Sequence, residues 1–81
     1  MTEQELIAII VAELKKMAPE TDPATLAPEE NLREALDIDS FSFLRVLVGI
    51  GEQTGIEIPE ADYGKVGTMT AMIHYLTARL P

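Results

Sequence analysis

The sequence predicts an all-α fold, a small bundle of three main helices and one short one with a long loop between the first two main helices. Two observations carry this. Apolar residues recur at helical spacing in two segments, Leu6 to Met17 and Met69 to Leu80, and a third, strongly apolar segment runs from about Ser40 to Thr54. The one competing strand, Ile56 to Pro59, has nothing to pair with, and a lone strand is not stable in water. With 81 residues the chain has room for a single core, so one domain spanning 1–81 is expected. An apolar fraction of 47% is ample for that core and argues against disorder.

The first helix begins at a capping box, Thr2 with Glu5 three residues on, in which each side chain satisfies an orphan N–H of the other. Leu6, Ile10, Leu14 and Met17 form its stripe, widened by Ile7 and Val11. Lys15 and Lys16 suit the negative end of the helix dipole, and Pro19 ends the helix. From Ala18 to Asp39 no period is sustained, and Pro19, Pro23 and Pro28 punctuate the segment. Its apolar anchors, Leu26, Leu32, Leu36 and Ile38, predict a loop packed over the end of the bundle and not a free linker. The helix from Ser40 to Thr54 stops at Gly55, a candidate left-handed cap. An extended connector, Ile56-Glu57-Ile58-Pro59, leads to a short helical turn around Glu60 to Lys65. Thr68 caps the last helix, which carries Met69, Met72, Ile73, Leu76 and Leu80 on one face.

Two glycines, Gly49 and Gly51, sit inside the central helix, each costing about 1 kcal/mol relative to alanine. They admit a close neighbour, loosen the helix end, or leave room for a partner or a bound chain. The same helix carries two apolar stripes at about 100° per residue. Phe43, Val46, Leu47 and Ile50 share one direction; Phe41, Leu44 and Val48 lie roughly opposite, beside Arg45 and Glu52. Either the helix is sandwiched with both stripes in the core, or the second stripe is a docking surface.

Fourteen acidic against six basic residues leave a formal charge of −8. Such a surface repels nucleic acid and anionic membranes, and it either suits a protein partner rich in Lys and Arg or simply keeps a small protein soluble. Seven carboxylates lie between Glu20 and Asp39, facing only Arg33. The N-terminus lacks the positive charge of a signal peptide, and the longest apolar run, Leu6 to Ala12, is too short for a membrane span, so a cytoplasmic protein is expected. No cysteine is present, which excludes disulfides, thiolate metal sites and a cysteine nucleophile.

Chemistry concentrates at Asp37-Ile38-Asp39-Ser40-Phe41. A serine nucleophile needs a base and an orienting group, but the single histidine, His74, falls on the polar side of the last helix. Asp37 and Asp39 do not make a calcium loop, because Phe41 and Ser42 stand where an oxygen ligand and a glycine are required. Enzymatic activity is not expected. A helix N-terminus favours an anion, so Ser40 is either an ordinary helix-starting serine or the seat of a phosphodiester.

Leu36-Asp37-Ile38-Asp39-Ser40-Phe41 resembles the attachment motif of the acyl carrier protein family, a leucine and short spacer ahead of Asp-Ser and a large apolar residue. The similarity extends through Gly55-Ile56-Glu57-Ile58-Pro59 and Val66-Gly67-Thr68-Met69, covering about Glu3 to Leu80. The resemblance implies a four-helix bundle of acyl-carrier type and a 4′-phosphopantetheine arm on Ser40. It implies attachment by a phosphopantetheinyl transferase using coenzyme A, with Asp39 assisting by helping to bind that enzyme's magnesium ion. Acyl groups would ride as thioesters on the arm and be shown to an acyl- or aminoacyl-loading ligase, an acyltransferase or a ketosynthase. The protein itself is expected to be a non-catalytic monomer. By the same resemblance Phe41, Leu44, Arg45, Val48 and Glu52 face partner enzymes. Fatty-acid carriers usually show several carboxylates on this helix, whereas here Ser42, Arg45 and Gly51 leave only Glu52. That departure implies a specialised lipid or polyketide pathway. The alternatives are an aminoacyl or peptidyl carrier, or a carrier-like binding module without the arm.

Overall fold

The computed structural model describes residues 1–80. Its helices are α1 (Glu3–Met17), α2 (Leu32–Ala35), α3 (Ser40–Thr54) and α4 (Met69–Arg79), with 3-10 turns at Pro23–Thr25 and Glu60–Lys65. No strand occurs among the described residues, so Ile56 to Pro59 is the extended connector its lack of a partner implied.

The capping box forms as read: the Glu5 N–H donates to Thr2 Oγ1 at 3.1 Å and the Thr2 N–H to Glu5 Oε1 at 2.9 Å. That bond from the Thr2 backbone holds the Glu5 carboxyl below the ordinary range. Leu6, Ile10 and Leu14 are fully buried and join Phe43, Val46, Leu47 and Ile50 of α3 and Met72 and Leu76 of α4 in one core.

One buried residue breaks the pattern. Glu13 is only 5% exposed, and its carboxylate accepts hydrogen bonds from Lys16 Nζ at 2.8 Å and from Gln53 Nε2. The same carboxylate lies against Gly49. The C-terminal half of α1 thus meets the C-terminal half of α3.

The long loop between α1 and α3 is pinned, as its anchors predicted. Leu32 and Leu36 are buried, while Leu26 and Ile38 pack against the core. The Leu32 N–H donates to the Gly67 carbonyl at 2.9 Å, and the Thr70 N–H to the Pro28 carbonyl at 3.1 Å. The sequence reading did not place a helix in this loop. α2 is one turn capped by Asn31, whose side chain accepts from the Glu34 N–H at 3.0 Å. Four residues are too few for a hydrophobic period to show.

Both helical glycines serve close approach. A Cβ on Gly49 would stand 2.0 Å from Glu13 Oε1, and one on Gly51 would stand 2.9 Å from the Ile56 carbonyl oxygen. Gly55 caps α3 at φ 76°, its N–H bonded to the Gly51 carbonyl at 2.8 Å.

The turn at Glu60–Lys65 is tied to α4 through Asp62. The Tyr75 hydroxyl donates to Asp62 Oδ2 at 2.6 Å, Lys65 Nζ lies 3.2 Å from Oδ1, and the Arg79 guanidinium stacks 3.5 Å above the Tyr75 ring. Donation by Tyr75, then by Lys65, holds the Asp62 carboxyl below its ordinary value, and the same bond raises the Tyr75 phenol. The lowered carboxyl stabilises the fold above about pH 4 and loses that effect as pH falls through its folded value. The raised phenol stabilises below about pH 10 and loses its effect as pH rises through its folded value. In melting curves taken across pH, Tyr75→Phe is therefore expected to be destabilised most between these limits and least beyond them. A deficit that stays constant across pH would show that this bond does not couple to folding.

Candidate functional site

The site is built by two consecutive caps. Helix α2 ends in a Schellman motif: the Ile38 N–H donates to the Arg33 carbonyl at 3.0 Å and the Asp37 N–H to the Glu34 carbonyl at 3.3 Å. Asp37 occupies the left-handed position at φ 53°, among the described residues the one non-glycine with positive φ. Aspartate tolerates this conformation better than most side chains. The reversal aims Asp39 at the start of α3, where its Oδ1 accepts from the Ser42 N–H at 2.7 Å. That amide is the main reason the Asp39 carboxyl sits below the ordinary range, with the Arg33 charge adding to it. Asp39 is thus ionised at neutral pH.

Ser40 follows as the first residue of α3 and is exposed. No hydrogen bond ties its hydroxyl down among the described residues. It stands at the end of a 15-residue helix, where free N–H groups and the dipole favour an anion. Beside it opens a groove of about 250 Å³ lined by Arg33, Phe43, Leu44, Leu47 and Tyr63. His74 is exposed and lines a different groove, between α1 and α4, with Ile7, Val11 and Ile73.

The two stripes of α3 part company. Phe43, Val46, Leu47 and Ile50 are buried, whereas Phe41 is 64% and Val48 51% exposed. Leu44 is half-buried between them, and Arg45 and Glu52 are exposed. The sandwiched-helix alternative is therefore wrong: a bundle this small covers α3 on one side only. The Arg45 guanidinium lies 5.4 Å from the Phe41 ring centroid, a cation–π distance that joins charge and apolar surface in one patch. Phe41, Leu44, Arg45 and Val48 are thus contiguous, starting one residue after Ser40. The sequence reading missed Arg33 and Tyr63 as neighbours of Ser40. Each sits on a single turn too short to give a readable face, so only the tertiary fold brings them there.

Residues 4–76 match the family described as phosphopantetheine attachment site. The meromycolate extension acyl carrier protein of Mycobacterium leprae is 30% identical over 76 residues, covering 94% of this chain and 65% of that protein. The chain thus spans just under two thirds of the length of that relative. The acyl carrier protein AcpXL of Rhizobium etli is 38% identical over 64 residues, covering 72% of this chain and 70% of that protein. The acyl carrier protein of Myxococcus xanthus is 26% identical and is covered over 96% of its length. With its core, its Asp-Ser helix start and these relatives in agreement, the chain belongs to the phosphopantetheine-attachment family of acyl carrier proteins.

Proposed function

We propose that this protein carries acyl intermediates as thioesters on a 4′-phosphopantetheine arm attached to Ser40, and itself catalyses nothing. The observation that carries the reading is the exposed, unbonded Ser40 hydroxyl at the N-terminus of α3, beside a groove in which Phe43, Leu44 and Leu47 face the polar Asn31 and Arg33. These residues fit the arm: the helix end favours its phosphodiester, and the hydroxyl is accessible to a transferase. When attached, the arm supplies the thiol that a cysteine-free chain lacks. Tethering raises the effective concentration of cargo at successive enzymes.

Asp39, ionised and next to Ser40, assists the phosphopantetheinyl transferase. The patch of Phe41, Leu44, Arg45, Val48 and Glu52 meets the enzymes that load and use the cargo, a ligase, acyltransferase or ketosynthase. The working unit is a monomeric carrier domain over 1–81, acting in the cytoplasm; Pro81 lies outside the described residues. Among those residues no helix is long and apolar enough to cross a membrane. Arg45 in place of a carboxylate, together with relatives whose names specify meromycolate extension, supports a specialised lipid pathway over general fatty-acid elongation.

The reading is tested by incubating the protein with coenzyme A, magnesium and a broad-specificity phosphopantetheinyl transferase and recording the intact mass. A single phosphopantetheinyl addition is expected, and an unchanged mass would refute it. For the patch, Arg45→Glu is expected to raise turnover by general fatty-acid elongation enzymes severalfold; equal or lower turnover would show that this charge does not select the partner.

A further inference from the structure

Two grooves lie end to end along α3. The first, at Ser40, is lined by Phe43, Leu44 and Leu47 and by Tyr63 and Gly67. The second, about 410 Å³ and the larger, runs past Val48 and Gly51 to Ile56 and Ile58. Two residues line both: Leu47 and Tyr63. Leu47 is a fixed core side chain at 2% exposure, whereas Tyr63 is half-buried and comes from the turn opposite. The two grooves therefore meet at Leu47 and Tyr63, and of this pair Tyr63 is the less buried side chain.

We infer that Tyr63 limits the length of acyl chain this protein shelters, an inference that rests on the carrier reading above. A chain borne on Ser40 has its nearest apolar refuge in the first groove, because Ser40 itself lines that groove. A chain longer than the groove meets the ring. Beyond Tyr63 apolar walls recur at Val48, Ile56 and Ile58, so the second groove is the space a longer chain would enter if Tyr63 gave way. The backbone under that side chain is anchored: its neighbour Asp62 is bonded to Tyr75 and Lys65. Opening thus calls for rotation of the Tyr63 side chain and not for movement of the whole turn. Gly51, held bare by the Ile56 carbonyl, keeps the second groove from being filled by α3 itself.

The test uses holo-protein loaded with saturated acyl chains from hexanoyl to tetradecanoyl, read by backbone amide shifts and by the rate at which hydroxylamine cleaves the thioester. In the unaltered protein, Phe43, Leu44 and Gly67 should respond to every chain, and Ile56 and Ile58 to none. Protection should rise by up to about fourfold per added methylene, then level off once the first groove is full. In Tyr63→Ala, Ile56 and Ile58 should respond to the longer chains and the plateau should move to longer chains. Tyr63→Phe, which keeps the ring, should behave as the unaltered protein. If Tyr63→Ala fails to fold, Tyr63→Leu reads the same opening. An identical plateau with and without the ring, or Ile56 and Ile58 responding in the unaltered protein, would overturn the inference. Absence of any phosphopantetheinyl loading would overturn the carrier reading instead, and this one with it.

Discussion

Ser40→Ala is expected to abolish the phosphopantetheinyl mass gain completely while leaving the fold intact. The serine is exposed and its hydroxyl bonds nothing among the described residues, so removing one oxygen disturbs no packing. Alanine is also the best helix former, so α3 keeps its first turn. Ser42→Ala, two residues on, should accept the arm at the normal rate, because the Ser42 group that serves the cap is its backbone N–H. Asp39 needs a subtler variant, since it both caps α3 and carries charge next to the serine. Asparagine caps as well as aspartate but is neutral, so Asp39→Asn should keep the melting temperature and slow transfer markedly. Mass spectrometry of timed transferase reactions, with circular dichroism beside it, separates these effects. A mass gain persisting in Ser40→Ala would move the attachment site elsewhere.

Gly51→Ala is expected to destabilise the protein by up to about 2 kcal/mol, although helix propensity alone favours alanine there by about 1 kcal/mol. The new Cβ would stand 2.9 Å from the Ile56 carbonyl oxygen, and backbone does not give way as a side-chain tip does. Ile56 is held on both sides: its N–H donates to Thr54 Oγ1 at 3.2 Å, and its own side chain is buried in the core with Ile58. Relief must therefore shift the connector, an overpacking cost of about 1–3 kcal/mol. For a domain of this size the net loss should lower the melting temperature by up to roughly 16 °C. Gly49→Ala is the instructive contrast. Its Cβ would collide with the Glu13 carboxylate, and a second substitution, Glu13→Ala, removes the obstacle. A double-mutant cycle should show strong coupling for Gly49 with Glu13, and none for Gly51 with Glu13. A Gly51→Ala protein more stable than the parent would show that the connector moves freely.

Much of this was legible beforehand, and for a common reason. The capping box at Thr2 and Glu5, the Gly55 cap and the stripe of α1 are local patterns, set by residues within a turn of one another. Helical periodicity also separated Phe43, Val46, Leu47 and Ile50 from Phe41, Leu44 and Val48. It did not say whether the second stripe was covered, because exposure depends on how many neighbours the bundle supplies. α2 was invisible because a single turn has no period, and Glu13 because charged residues are rarely buried without a partner that the sequence does not reveal.

By itself, then, the sequence determined the all-α class, the long anchored loop and an Asp-Ser pair at the start of an apolar helix. Each follows from neighbours along the chain. Only the tertiary structure decided that Glu13 of α1 meets Gly49 and Gln53 of α3, that Phe41 and Val48 face solvent, and that Tyr63 lines both grooves along α3. These depend on contacts between residues far apart in sequence, where packing and burial, and not local propensity, set the outcome.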